Sequence, residues 1–313
     1  MIKKSIDFVI PQFTMRIPFM RRHVENLVRS IHKYVTGIDY KIYIVYNYVD
    51  DTIELPESDG KNELEALMEL FGDDDKVIPV KGVDQTSTSG MSRGVLNPSA
   101  KGNTIKGKDG CIHAVNSKYH SEALTIGIKS GNSEYVCLLD ADTCFLNEWV
   151  DDIMPLADKY FYISNSWQPG TLFKEANLSF DEGRGVAVFM FIKRENFEKN
   201  NLYPNIDYRS TAGNITYFAQ KNSLDFLILK NNFWSRRHCD RWGISYEDTS
   251  PWRADKEYLK FEAGNFTGDV GDGYEEAWIN DKCIIVHMLS HGRFGAHENN
   301  IWTDKIQQYL DNN

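Results

Sequence analysis

Basic charge and long apolar runs are both scarce in this sequence of 313 residues. It carries 35 Lys and Arg against 45 Asp and Glu, a formal net charge of −10. Such a surface repels phosphate backbones and anionic lipid, which argues against nucleic acid and polybasic membrane partners but leaves room for a small anion in a local site. Its apolar runs are strand-length, far short of the roughly 20 residues that cross a bilayer as a helix. The first ten residues lack the length and small-residue cleavage pattern of a signal peptide. Cysteine is sparse: Cys111, Cys137, Cys144, Cys239 and Cys283 form no CxxC pair and no even framework. Reduced thiols in a cytoplasmic protein are therefore expected. No internal repeat or Pro-rich linker divides the chain, so one domain with an elaborated second half is expected. The composition, 42% hydrophobic and 26% charged, is that of a globular protein. Aromatic residues reach 13%, which suits a protein that stacks flat ligands.

The first half alternates strand and helix patterns. Ile6-Asp7-Phe8-Val9-Ile10 reads as a buried strand stopped by Pro11. Residues 21–35 place Val24, Leu27, Val28, Ile31 and Val35 on one helical face. A second strand follows over 41–46, a helix over 62–71, a third strand over 76–80, a helix over 117–129 and a fourth strand over 135–139. This order implies βαβ units and an α/β fold: a Rossmann-like, mostly parallel sheet with helices on both faces. Ligands in such sheets bind beyond the carboxyl ends of the strands.

Residues 84–110 are rich in Gly, Ser, Thr and Lys and nearly devoid of apolar side chains, which reads either as a disordered insertion or as a lid. Beyond residue 160 the alternation weakens. Strands are expected over 160–164, 186–192, 226–230 and 282–287, a helix over 212–221, irregular structure over 231–273, and a short helix at the end. Trp167, Trp234, Trp242, Trp252 and Trp278 fall in this half, as core or as a sugar-stacking acceptor site.

The sharpest chemical feature is Asp140-Ala141-Asp142, directly after the apolar strand Tyr135-Val136-Cys137-Leu138-Leu139. Two carboxylates at the tip of a central strand repel each other and are partly desolvated. A divalent cation relieves this, and hard oxygen ligands suit Mg2+ or Mn2+. The alternative is a pair of acids capping a helix that starts near Asn147.

Tyr119-His120-Ser121-Glu122 through Thr125-Ile126-Gly127-Ile128, followed by Ser133-Glu134-Tyr135 and Leu138-Leu139-Asp140-Ala141-Asp142, resembles a segment of GT-A-fold glycosyltransferases, family 2-like in particular, where a helix ending N-x-G-I precedes E-Y-hydrophobic-LDAD. Thr125 stands where that family commonly has Asn. The likeness covers about residues 5–50 and 115–165.

What it implies is a transferase acting on a nucleotide-diphosphate sugar, UDP- or GDP-linked, with a glycan or other hydroxyl acceptor. The donor half would be 1–165 and the acceptor half 166–313 of a single domain. Asp142 would bind the ion bridging the donor diphosphate, and Asp140 the ribose or a metal-bound water. Pro11 and Gln12 would fall against the nucleotide, with Asn47, Asp50 or Asp51 near base or ribose. His120 would face phosphate or sugar, or be a capping or core residue. His287 would be a further metal ligand, with His291 as fallback, and Arg293 could pair with the diphosphate or lie on the surface. For the base that inversion requires, Asp207 is the nearest carboxylate, with Asp272 and Glu275 as rivals from a flexible glycine loop. Two other readings remain: a nucleotidyltransferase, disfavoured because Pro11-Gln12-Phe13-Thr14 lacks a phosphate-binding glycine, and a non-catalytic nucleotide-sugar-binding module.

Overall fold

The structure, a computed structural model, describes residues 4–52, 55, 58–86, 104–106, 108, 112–166, 185–208, 211–234, 274–280, 282–288 and 296–313. Most of the Gly/Ser-rich segment at 84–110 lies outside them, as do Trp167, Trp242, Trp252, Asp272, His291 and Arg293.

Strands β1 (Ser5–Gln12), β2 (Asp39–Tyr48), β3 (Val77–Asp84), β6 (Tyr135–Leu139), β8 (Tyr162–Ser166), β9 (Gly185–Lys193) and β10 (Leu227–Ile228) form a seven-stranded sheet in the order β10-β8-β9-β6-β1-β2-β3. Only β9 runs antiparallel to its neighbours, β6 and β8. The remaining pairs are parallel. A mixed, mostly parallel sheet is what the strand and helix alternation implies.

Alternation along the central strands divides the core. Ile6, Phe8 and Ile10 of β1, with Tyr135, Cys137 and Leu139 of β6, pack beneath helices α1 (Pro18–Tyr34), α2 (Glu63–Phe71) and α4 (Val150–Ala157). Val9, Val136 and Leu138 point the other way, toward α3 (Val115–Ser130), α5 (Arg194–Asn200) and α6 (Gly213–Lys221). Each large side chain so buried contributes roughly 1.5–3 kcal/mol, and continuous apolar strands are what a sheet covered on both faces requires. Gly127 lets α3 approach closely, since a Cβ there would stand 2.3 Å from Val9 Cγ1 and 2.8 Å from Val45 Cγ2.

Several expected boundaries move, each for a local reason. Strand β1 runs past Pro11 to Gln12. Its pairing with β6 ends at Val9, so Pro11 bonds only on the β2 side and its missing N–H is tolerated. Helix α1 begins at Pro18, which suits the first helical turn. Asn62 precedes α2 as a reciprocal cap: its side chain accepts from Glu65 N at 2.9 Å, and its N–H donates to Glu65 Oε2 at 3.1 Å.

No helix starts at Asn147. A short strand, β7 (Thr143–Phe145), comes directly after the aspartate pair, and α4 follows it. The single strand expected over 226–230 is divided between β10 and β11 (Lys230–Trp234), which belong to different sheets. Strand β11 also opens the segment expected to be irregular. A four-stranded sheet of order β11-β12-β13-β7 adds β12 (Tyr274–Ile279) and β13 (Lys282–Met288). Residues 104–106 and 112–114 form a two-stranded ribbon, β4 and β5. The last helix, α7 (Ala296–Asn312), is 17 residues long and packs on α1 and the second sheet through Trp302, Ile306 and Leu310. Among the described residues no helix is long and apolar enough to cross a membrane. Cys137, Cys144 and Cys283 are buried and free.

The amino edge of the sheet is pinned by a buried ion pair. Asp7 accepts from Ser133 N at 2.9 Å, Ser133 Oγ at 2.6 Å and Arg194 Nη2 at 2.6 Å. Arg194 also donates through Nε to Ser133 O at 2.7 Å and through Nη1 to Ile128 O. One arginine thereby joins β1, the end of α3, the loop before β6 and the start of α5. Arg194→Met should cost about 3 kcal/mol in urea unfolding, because it strands the Asp7 carboxylate in the core. A loss under about 1 kcal/mol would mean that the pair holds nothing.

Candidate metal centre

At the opposite, carboxyl edge the chain leaves β6 and turns at once. Thr143 N and Thr143 Oγ1 both donate to Asp140 O, at 3.2 and 2.7 Å, closing a four-residue turn that holds both aspartates. The turn delivers the chain into β7, which pairs antiparallel with β13 and aligns Thr143 with His287. Met288 N donates to Asp142 O at 3.2 Å, fixing β13 against the turn. Backbone pairing thus carries His287 to the acids, although it lies 145 positions after Asp142 in sequence.

The side chains then converge. His287 Nε2 lies 3.3 Å from Asp142 Oδ1 and 3.9 Å from Asp140 Oδ2. Its Nδ1 lies 2.8 Å from Glu275 Oε1, the residue opposite it on β12. Asp142 and Glu275 are almost wholly buried, at 1% and 4% exposure, and His287 is 8% exposed. Asp140 is more open and faces His120 on α3, whose Nε2 is 3.1 Å from Asp140 Oδ1. His120 Nδ1 in turn lies 3.2 Å from Thr211 Oγ1. Asp140 Oδ1 is nonetheless buried without a hydrogen bond of good geometry.

Burial by itself would lower the pKa of His287. The adjoining Asp142 carboxylate and then Glu275 overcome that effect and hold it well above the ordinary imidazole value. The corner calls for positive charge. Asp140, Asp142 and His287 each offer a ligand atom, all within 4.8 Å of one another. Two carboxylates and one imidazole form a donor set that fits Mn2+ well and Mg2+ through its oxygens. Neither aspartate caps α4, whose preceding residue is Trp149 and makes no side-chain cap.

The other candidate residues divide by what they touch. Pro11 is buried in β1. Gln12 is 2% exposed and donates its amide to Thr14 O and Met20 O, bracing the loop that follows β1. Asn47, 3% exposed, accepts from Val83 N at 2.9 Å through Oδ1, across the irregularity where β2 and β3 lose register. Asp50 is exposed; Thr52 N and Oγ1 donate to its Oδ1 and lower its pKa. Thr125 donates to Pro204 O at 3.3 Å. Asp207 is ion-paired with Lys108 at 2.6 Å. Trp278 packs beside the cluster of Cys144, Val286 and Trp302, and its Nε1 donates to Glu276 Oε2 at 2.9 Å.

Sequence reasoning put Glu275 in a glycine loop, whereas it lies on β12. The Tyr-Glu-Glu-Ala-Trp run hides the strand, because adjacent acids mask its alternation. It also overlooked Asn165, which donates to Glu275 Oε1 at 3.3 Å, and Glu63, a buried acid at the start of α2.

Glu63 ties α2 to the loop after β1, accepting from Thr14 Oγ1 at 2.7 Å and from Met15 N. Burial raises its pKa despite those hydrogen bonds. Beside it a cavity of about 420 Å³ opens beyond β2 and β3, lined by Tyr46, Tyr48, Asp50, Asp51, Asn62 and Lys81 among others. Strand β2 is two positions from β6 in the sheet, about 10 Å along the same edge.

No family model matches this chain, and no curated protein does. Among solved structures, TarS 1-349 of S. aureus is similar with a TM-score of 0.44 at 10% identity, covering 72% of this chain and 58% of that one. The same fragment in complex with UDP-GlcNAc gives 0.44 at 10% identity, with 72% and 56% covered. The mannosyltransferase PcManGT of Pyrobaculum calidifontis, in complex with GDP-Man and Mn2+, gives 0.41 at 13% identity, with 73% and 55% covered. This chain therefore spans less than two-thirds of the length of each. All three scores are below 0.5, so function is argued from the side chains above.

The loop around the cavity carries a pH-sensitive tie. Arg21 grips Asp59 with two 2.6 Å hydrogen bonds and also donates to Met15 O. That grip pushes the Asp59 pKa down to about 2, against roughly 3.9 in an unfolded chain. The pair therefore stabilises the fold above about pH 4 and loses its effect as pH falls toward 2. Asp59→Asn should cost about 1 kcal/mol near neutrality, given partial exposure, and the difference from the parent should close at low pH. A pH-independent difference in urea unfolding would contradict this.

Proposed function

We propose that this chain is a metal-dependent glycosyltransferase of the GT-A type. It moves a sugar from a UDP- or GDP-linked donor to a hydroxyl of a glycan or other acceptor. The observation that carries the reading is the meeting of Asp140, Asp142 and His287 at the carboxyl edge of the sheet, with ligand atoms within 4.8 Å. The Leu-Leu-Asp-Ala-Asp segment supports it, because the family resemblance and the geometry select the same two acids.

In the transfer, the bond from the anomeric carbon to the diphosphate oxygen breaks, a bond to the acceptor oxygen forms, and the acceptor proton passes to a general base. Negative charge accumulates on the departing diphosphate. Asp140, Asp142 and His287 would hold Mn2+ or Mg2+, which when bound supplies Lewis-acid neutralisation of that charge. The Thr143-closed turn sets the two carboxylates before any ligand arrives, so little reorganisation is needed during reaction. The cavity beyond β2 and β3, about 10 Å along the edge, suits the nucleoside end of the donor, with Asp50 or Asp51 toward base or ribose. Gln12 and Asn47 then act by shaping the loops around it. Residues 1–165 serve the donor and 166–313 the acceptor in this reading.

A thermal-shift panel of nucleotide sugars with Mn2+, followed by assay of donor hydrolysis, tests it. One donor class is expected to raise Tm only when Mn2+ is present. Asp142→Asn, which preserves shape, should slow hydrolysis by about 100-fold or more, the scale of a few kcal/mol in the transition state. Parent-like hydrolysis by that variant, or by the parent in excess chelator, would sink the reading.

A further inference from the structure

Beyond the three candidate ligands stands a chain of hydrogen bonds that fixes how His287 presents itself. It begins with a group whose polarity is not in question. Phe189 N on β9 can only donate, and it does so to Asn165 Oδ1 at 3.2 Å. The Asn165 amide is thereby oriented, and its Nδ2 donates to Glu275 Oε1 at 3.3 Å. The same Glu275 oxygen lies 2.8 Å from His287 Nδ1. An oxygen already accepting from Asn165 serves as acceptor for the imidazole too, so the proton belongs on Nδ1. Nε2 is then the nitrogen that faces the space shared with Asp142 Oδ1 and Asp140 Oδ2, and its lone pair becomes a ligand when a cation entering there displaces the proton shared with Asp142.

We infer that Glu275, braced by Asn165, is a positioning residue of the metal centre: it sets the Nδ1–H tautomer and the ring orientation of His287, so that Nε2 is offered as a ligand. The inference rests on the proposed metal-dependent function and deepens it. Carboxylate-to-histidine-to-metal relays of this kind orient the ring and raise its basicity. Position in the fold supports the assignment. Glu275 and His287 are cross-strand partners on β12 and β13, while Asn165 belongs to β8, so the relay ties the small sheet to the large one at the site. Glu276, the next residue, is buried but meets Trp278 Nε1 instead, which makes it an internal control.

The test is Mn2+ binding to the full chain by calorimetry, with no donor sugar present. Glu275→Ala is expected to weaken Mn2+ binding 10–100-fold. Glu275→Gln, which leaves an acceptor oxygen, should retain more of it, and Glu276→Gln should match the parent. Asp142→Asn should abolish binding. If Asp142→Asn loses Mn2+ but Glu275→Ala stays within about twofold of the parent, the positioning role is overturned and the metal centre stands. If Asp142→Asn binds as the parent does, the metal centre falls and this inference with it. Should the Glu275 variants fail to fold, long-range 1H–15N spectra of the unsubstituted protein with diamagnetic Zn2+ decide. A proton on His287 Nδ1 supports the relay, and a proton on Nε2 refutes it.

Discussion

Strand β7, three residues long, is the hinge on which the candidate site depends. Its antiparallel pairing to β13 sets Thr143 beside His287 and so brings the imidazole to Asp142. The Asp140 to Thr143 turn aims β7 away from the main sheet, and the backbone hydrogen bond from Met288 N to Asp142 O closes the contact. Backbone pairing of this sort fixes which side chains face each other across the strands. It also brings acids together at a cost, and the site tolerates them only because positive charge is available between them.

Stability and chemistry are divided between the two edges of the sheet. At the amino edge, Asp7 is fully satisfied by Ser133 and Arg194, and the charge is neutralised within the fold. At the carboxyl edge, Asp140 keeps a buried oxygen with no well-formed hydrogen bond, and Asp142 shares its imidazole neighbour with Glu275. Both edges contain buried carboxylates, yet only one is electrostatically complete. An incomplete buried cluster is costly to maintain in a folded protein, and that cost is a physical reason to read it as a ligand site rather than a structural one.

The loops beside the cavity follow the same pattern. Gln12, Asn47 and Glu63 are polar residues at the mouth of the sheet, and each is bonded to neighbouring backbone, Glu63 to the Thr14 hydroxyl as well. Polarity made Gln12 and Asn47 candidates for ligand contact; burial makes all three scaffolding for the cavity beside Tyr48 and Asp50. A polar residue near a sheet edge serves either purpose, and spacing alone does not distinguish them.

Period-two and helical patterns in the first half were enough to read β1, β2, β3 and β6 and the helices between them, because each is long and buries a continuous face. Asp140 and Asp142 were readable for the same reason: a strongly apolar strand ends immediately before them. The pairing of β7 with β13 was not, since three residues carry no periodicity, and neither was β12, whose adjacent acids resemble a loop. Glu275 and Asn165 gain meaning only through partners 12 and 110 positions away from Glu275. Local patterns determined which segments are strands and where two acids would stand. Which distant imidazole meets them, and which acid stands behind it, was decided by tertiary pairing, because such contacts are set by sheet register and not by any property of the short segments that make them.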